Sequence, residues 1–123
     1  MEFTQDWIMR QIQMIAQMLA KLLFGKETTD YIIEDEDDLN GTDLLYKAIS
    51  ELLASGDICG AEDLLFDALE NGGKENLEVA IDFYAKLNKM TDAQLQAGNF
   101  SREEAEDGLR NAAALFGLEN LLS

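Results

Sequence analysis

The chain has 123 residues, of which 25 are acidic and 9 are basic, and its formal net charge at pH 7 is −16. It has no histidine and a single cysteine, which excludes Ser-His and Cys-His dyads, His-ligated metal sites and an internal disulfide. The acidity argues against nucleic acid as a partner, because such binding depends on Lys and Arg that neutralise phosphates. The length suits a single compact domain with one core.

Residues 1–26 hold two acids and three bases, a net charge of +1, and predict a long N-terminal amphipathic helix with Thr4 as a candidate N-cap. Its leading apolar stripe advances in alternating steps of four and three residues: Ile8, Ile12, Ile15, Leu19 and Leu22. Further apolar residues lie on one side of this stripe: Trp7, Met14 and Met18. A helix with so wide an apolar face must be covered on more than one side.

Two hypotheses account for this wide apolar face. The helix is either the central helix of the chain's own core, or a surface through which the chain self-associates or docks onto another protein, a role that suits methionine-rich faces. We predict a homodimer or a complex with another protein, with this interaction surface: Ile8, Ile12, Ile15, Met18, Leu19 and Leu22. Binding to a membrane surface is less favoured, because Arg10 and Lys21 are too few to attract anionic lipid.

Residues 27–43 contain eight acids and no base, which predicts a solvated acidic linker. We tested this segment for a calcium-binding EF-hand loop. With Gly41 in the sixth position, the twelfth position, which needs a bidentate Glu, is Lys47. We therefore predict no metal site, although weak association with divalent cations stays open.

Residues 44–123 predict two helical hairpins, so the fold class is all-α. Helices are expected at about 44–55, 58–71, 77–90 and 102–116, with a break or a short helix at 91–98. The expected N-caps are Thr42 or Asp43 for the first of these helices, Asp57 for the second and Ser101 for the last. The only candidate strand is the short run at 31–33.

The two hairpins carry small residues at matching positions of their second helices: Ala61, Leu65 and Ala68 in the first, and Ala105, Leu109 and Ala112 in the second. With Gly56 in the first turn, this pattern resembles the tetratricopeptide repeat, over about one repeat of the chain. It departs from that repeat where Ile49, Leu52 and Gly73 replace the family's glycine, tyrosine and proline. Close helix crossing, which Gly108 also favours, is the alternative explanation.

Two longer stretches carry a second resemblance: DWIMRQIQMIAQMLAKLLFGK at 6–26 and LNKMTDAQLQAGNFSREEAEDGL at 87–109. They are similar to an uncharacterised family of short all-helical proteins from Gram-positive bacteria. The resemblance extends over nearly the whole chain. It implies a helical fold in a bacterial cytoplasm, and it implies no biochemical activity.

The remaining residues offer little chemistry, so we expect a non-catalytic protein without a cofactor or a small-molecule substrate. Cys59 follows the Asp57 cap in the first turn of a helix, which favours a thiolate, but nearby acids disfavour it. We therefore expect a buried or semi-buried small residue, with a redox-sensing thiol as the alternative. The acidic opening residues and the lone cysteine favour a cytoplasmic protein, and the first apolar stretch is too polar to span a membrane. Two alternatives stay open: an acidic decoy that binds a basic protein surface through residues 34–38 and Asp43, and a weak metal-dependent hydrolase that uses acidic residues alone.

Overall fold

The helices expected from the sequence are present in a computed structural model of the chain, which describes residues 2–122, with side chains from residue 6 onward. They are α1 (Glu2–Phe24), α2 (Gly41–Ala54), α3 (Ile58–Asn71), α4 (Asn76–Lys89), α5 (Asp92–Ala97) and α6 (Arg102–Ala114), followed by a C-terminal 3₁₀ helix (Glu119–Leu122). The side chain of Thr4, the expected N-cap of α1, lies outside the described residues. No strand occurs within residues 2–122, and the all-α prediction is confirmed.

Helix α4 is the centre of the fold. It contacts α1 and α6, and it also contacts α2 and α3, which pack against each other. Nine of its residues are buried, among them Phe83 and Tyr84, whose rings meet edge to face with centroids 4.9 Å apart. The contacts of α2 with α3, and of α4 with α6, are consistent with the two predicted hairpins.

Most helix ends follow the expected capping residues. The Asp57 side chain accepts a hydrogen bond from the backbone N–H of Gly60, and Ser101 accepts one from that of Glu104. Gly56, in the turn between α2 and α3, has φ +85°, a conformation that glycine adopts without steric cost. These local signals place the turn after α2, the start of α3 and the start of α6 as predicted.

The start of α2 differs from the prediction of Thr42 or Asp43 as its N-cap. Asn40 is the cap: its side chain accepts a hydrogen bond from the Asp43 backbone N–H, and the Asp43 carboxylate accepts one from the Asn40 backbone N–H. Asp43 thus fills the third helical position of a reciprocal capping box. The helix consequently begins at Gly41, inside the segment expected to be a linker.

The acidic segment between α1 and α2 is solvated only in part. Residues 34–38 are exposed, as expected. Tyr31 is buried instead, and its backbone N–H donates to Asp82 Oδ2 of α4 at 2.7 Å. The phenol of Tyr31 also stacks near Tyr46 of α2, with ring centroids 4.9 Å apart. An aromatic residue in the middle of the charge run therefore fastens the segment to two helices.

Candidate functional site

Four of the six residues predicted to form an interaction surface lie in the core of the chain itself: Ile8, Ile12, Ile15 and Leu19. They are buried in α1, which packs against α4 and α6. This corrects their predicted placement on an outer surface. The four-three spacing describes equally well the buried side of a helix, and the alternative hypothesis of a central core helix accounts for these four positions.

The other two predicted residues lie at the border of this core. Met18 is half-buried and Leu22 is 60% exposed. Two further apolar residues of α1, Trp7 and Met14, are 54% and 61% exposed. Steps of seven and four residues put all four side chains on one side of the helix, along about 22 Å of its axis. We call Trp7, Met14, Met18 and Leu22 the α1 apolar edge.

The C-terminal 3₁₀ helix extends this apolar surface. Leu121 is 47% exposed, and a cavity of about 270 Å³ lies between the 3₁₀ helix and α1. The cavity is lined by Gln11, Met14, Ile15, Met18, Arg110, Leu121 and Leu122. Arg110 holds the 3₁₀ helix in place, because its guanidinium donates to the Leu122 carbonyl at 3.2 Å and to Glu106 Oε2 at 3.1 Å. Leu121 and Leu122 were not predicted from the sequence to lie at this site. The only signal for them was that they are apolar residues beyond Gly117, where the last predicted helix ends.

The charges of α1 are few and lie beside the α1 apolar edge. The described part of the helix carries Asp6 near its start, Arg10, and Lys21 in its last turn, and all three are exposed. Lys21 forms a long ion pair of 3.6 Å with the exposed Glu27. The edge is thus nearly neutral in a chain whose net charge is −16.

A second candidate site is a cleft of about 760 Å³ beside the acidic segment. Every charged residue among the described residues that line it is acidic: Glu34, Asp35, Asp38, Asp43, Glu75 and Glu78. Glu78 is partly neutralised by Lys26, whose ammonium lies 2.7 Å from Glu78 Oε2. The remaining carboxylates give the cleft a strongly negative potential, which favours cationic groups.

Asp43, predicted to supply surface charge with residues 34–38, is instead buried in the wall of the cleft. Its Oδ1 accepts a hydrogen bond from the Tyr31 hydroxyl at 2.5 Å, and its Oδ2 accepts one from the Asn40 backbone N–H at 3.0 Å. Burial raises the pKa of the Tyr31 phenol, and the hydrogen bond to Asp43 raises it further, so Tyr31 keeps its hydroxyl proton and donates it to Asp43. Asp43 therefore holds the acidic segment and α2 together.

A third cluster of polar groups lies where α3, α4 and α6 cross. The hydroxyl of the fully buried Tyr84 donates to Glu62 Oε2, beside Gly108 of α6. Burial raises the pKa of the Glu62 carboxyl; the Tyr84 hydrogen bond opposes this, whereas the Glu104 carboxylate adds to it. A Cβ atom at position 108 would collide with both Tyr84 and Glu62. The close crossing expected from Gly108 is present.

Cys59 was expected to be buried or semi-buried, and it is exposed. It occupies the first turn of α3, with its Sγ 3.8 Å from the backbone carbonyl oxygens of Gly98 and Asn99. Partial desolvation raises the pKa of its thiol, and the carboxylates of Glu104 and Glu62 raise it further. The local sequence correctly predicted that nearby acids disfavour the thiolate of Cys59. It carried no information about which side of α3 packs against the rest of the chain.

Two other kinds of site are absent from the part of the chain that the structure describes. Within residues 6–122, whose side chains the structure describes, no group of three or more His, Cys, Asp or Glu is arranged to hold a metal ion. Among the described helices, none combines the length and the apolar character that crossing a membrane requires.

A family model described as a family of unknown function (DUF6483) matches residues 2–117. The match covers nearly the whole chain, so the chain belongs to this family. No curated protein and no solved structure shows significant similarity to it. The expected membership of an uncharacterised family is thus confirmed.

Proposed function

With membership of a family of unknown function as the premise, we propose that the chain is a non-catalytic protein–protein interaction module whose docking surface is the α1 apolar edge. The observation that carries this proposal is the exposure of three large apolar side chains along one line of a helix. Trp7, Met14 and Leu22 are each more than half exposed, although the neighbouring face of the same helix is fully packed in the core.

The composition of the edge supports a role in binding. Contiguous apolar surface of this kind on a water-soluble domain marks interaction sites, because its exposure to water is unfavourable. Tryptophan is prominent among residues that contribute most to interface affinity, and methionine adapts its shape to a partner. The cavity beside Met14 and Leu121 offers a recess for a partner's side chain.

The proposal includes the absence of catalysis and a cytoplasmic location. The carboxylate whose ionisation is most clearly perturbed, Glu62, is tied to Tyr84 in a helix crossing, which is a structural use. An exposed free thiol at Cys59 fits a reducing compartment.

Affinity purification from the source cells tests the docking surface. Tagged wild-type chain is compared with Met14→Glu, which puts a charge on the edge, and with Gln17→Glu, which puts the same charge on the exposed polar side of α1. We expect proteins, identified by mass spectrometry, that bind the wild type and Gln17→Glu and are lost with Met14→Glu. Identical recovery with all three would overturn the proposed surface.

A second candidate function, binding of a basic protein surface as an acidic decoy, is supported by the uniformly acidic lining of the 760 Å³ cleft. The test measures binding of an arginine-rich peptide at low and high salt. Three cleft carboxylates are neutralised together: Glu34→Gln, Asp35→Asn and Asp38→Asn. The matched control neutralises three exposed acids of α6: Glu103→Gln, Glu104→Gln and Asp107→Asn. Equal loss of affinity in both variants would count against a specific cleft.

A further inference from the structure

We infer that the occupant of the α1 apolar edge is a second copy of this chain, docked with the two copies of α1 antiparallel. This inference rests on the proposed function and names its partner. A two-fold axis that passes near Met14 makes the edge self-complementary, as closed dimers require, because each copy then presents the same residues to the other.

Net charge restricts where two copies can meet. Each copy carries −16, so contact through an acidic surface brings like charges together. The acidic segment and the solvent face of α6 are such surfaces. The α1 apolar edge avoids this repulsion, because the flanking charges of the described helix are one acid, Asp6, and two bases, Arg10 and Lys21.

The order of these charges along α1 selects the antiparallel arrangement. With the axis near residue 14, Asp6 lies opposite the partner's Lys21 within about one residue rise, 1.5 Å. The same alignment brings Trp7 against the partner's Lys21 and Leu22, which allows apolar contact and a cation–π interaction. A parallel arrangement would instead set Lys21 against the partner's Lys21 and Arg10 against the partner's Arg10.

The small size of the surface leads us to expect weak association. The edge is about 22 Å long, and Leu121 widens it beside Met14. The cavity of about 270 Å³ at that point has room for the partner's Met14. Two such edges make a contact near the lower end of specific interfaces, roughly 1,200 Å² in total, for which we expect a dissociation constant on the order of micromolar.

Sedimentation equilibrium of the full chain under reducing conditions tests the identity of the occupant. We expect a monomer–dimer equilibrium for the wild type and for Gln17→Glu, and at least about tenfold weaker association for Met14→Glu. Circular dichroism checks that Met14→Glu keeps its helices, as the exposure of Met14 leads us to expect. A wild type that is monomeric at about 100 μM would overturn the inference, since this concentration exceeds the expected dissociation constant roughly a hundredfold.

Disulfide cross-linking tests the orientation. In a Cys59→Ser background, Met14→Cys is expected to cross-link under mild oxidation, because the two positions meet at the axis. Leu22→Cys is not expected to cross-link, because residue 22 of one copy would lie about 24 Å from residue 22 of the other. Efficient cross-linking at position 22 would overturn the antiparallel arrangement. If the wild type is monomeric in sedimentation but binds a different protein in the affinity purification, and Met14→Glu abolishes that binding, then the occupant is not a second copy. The proposed docking surface would still stand.

Discussion

Replacing Gly108 by alanine tests the close crossing of α3, α4 and α6. The new Cβ would meet the Tyr84 hydroxyl and the Glu62 carboxylate, both of which are fixed by their mutual hydrogen bond. Overpacking of this kind costs about 1–3 kcal/mol, whereas alanine gains about 1 kcal/mol over glycine within a helix. We expect a net loss of about 1 kcal/mol in the free energy of unfolding, or a fall of roughly 4 °C in Tm.

Urea unfolding followed by circular dichroism measures this change. Gly41→Ala is the matched control, because a Cβ at that position meets nothing within 4 Å, and it is expected to be neutral or stabilising. In a Tyr84→Phe background the hydroxyl is gone, but the ring Cζ and Glu62 Oε2 still lie 2.6 Å from the Cβ, so the cost of Gly108→Ala is expected to fall without disappearing. The reasoning is refuted if Gly108→Ala stabilises the wild type as much as Gly41→Ala does.

Three further predictions concern polar contacts. The folded state raises the pKa of Glu62 above its unfolded value, so neutral Glu62 favours folding at low pH and this contribution is lost as pH rises through the folded pKa. Glu62→Gln, which still accepts from Tyr84, should therefore raise Tm near neutral pH and have little effect in acid; a benefit that calorimetry finds constant with pH would contradict this. Tyr31→Phe leaves a buried oxygen of Asp43 without its hydrogen-bond donor and should lower the free energy of unfolding in urea by about 1–3 kcal/mol. An unchanged free energy of unfolding would contradict this. Asn40→Ala removes the cap of α2 and should cost about 1 kcal/mol by the same assay, unless another residue caps the helix equally well.

The helices could be predicted from sequence because their signals are local. Asp57 and Ser101 cap the helices that they were expected to cap, and Gly56 lies in the turn between α2 and α3. The start of α2 was placed too late, because Asn40 and Asp43 are both good capping residues and only their reciprocal hydrogen bonds decide which one is the cap.

The candidate site could be predicted only in part. Periodicity shows which residues of α1 share a side, but when apolar residues cover most of a helix it does not show which side the rest of the chain covers. The predicted surface therefore included Ile12, which is buried, and omitted Met14, which is exposed. The acidic cleft depends on Tyr31 reaching Asp82, which is distant in sequence. The exposure of Cys59 likewise depends on tertiary packing.

The fluorescence of Trp7 as a function of protein concentration tests the central claim most directly. It is the only tryptophan of the chain, and about half of it is exposed. If the α1 apolar edge binds a second copy, the emission maximum of the wild type should shift to shorter wavelength as concentration rises through the micromolar range, because the indole loses contact with water. Met14→Glu should show no such shift. Emission of the wild type that stays constant while sedimentation detects a dimer would contradict the account, since the dimer would then form elsewhere.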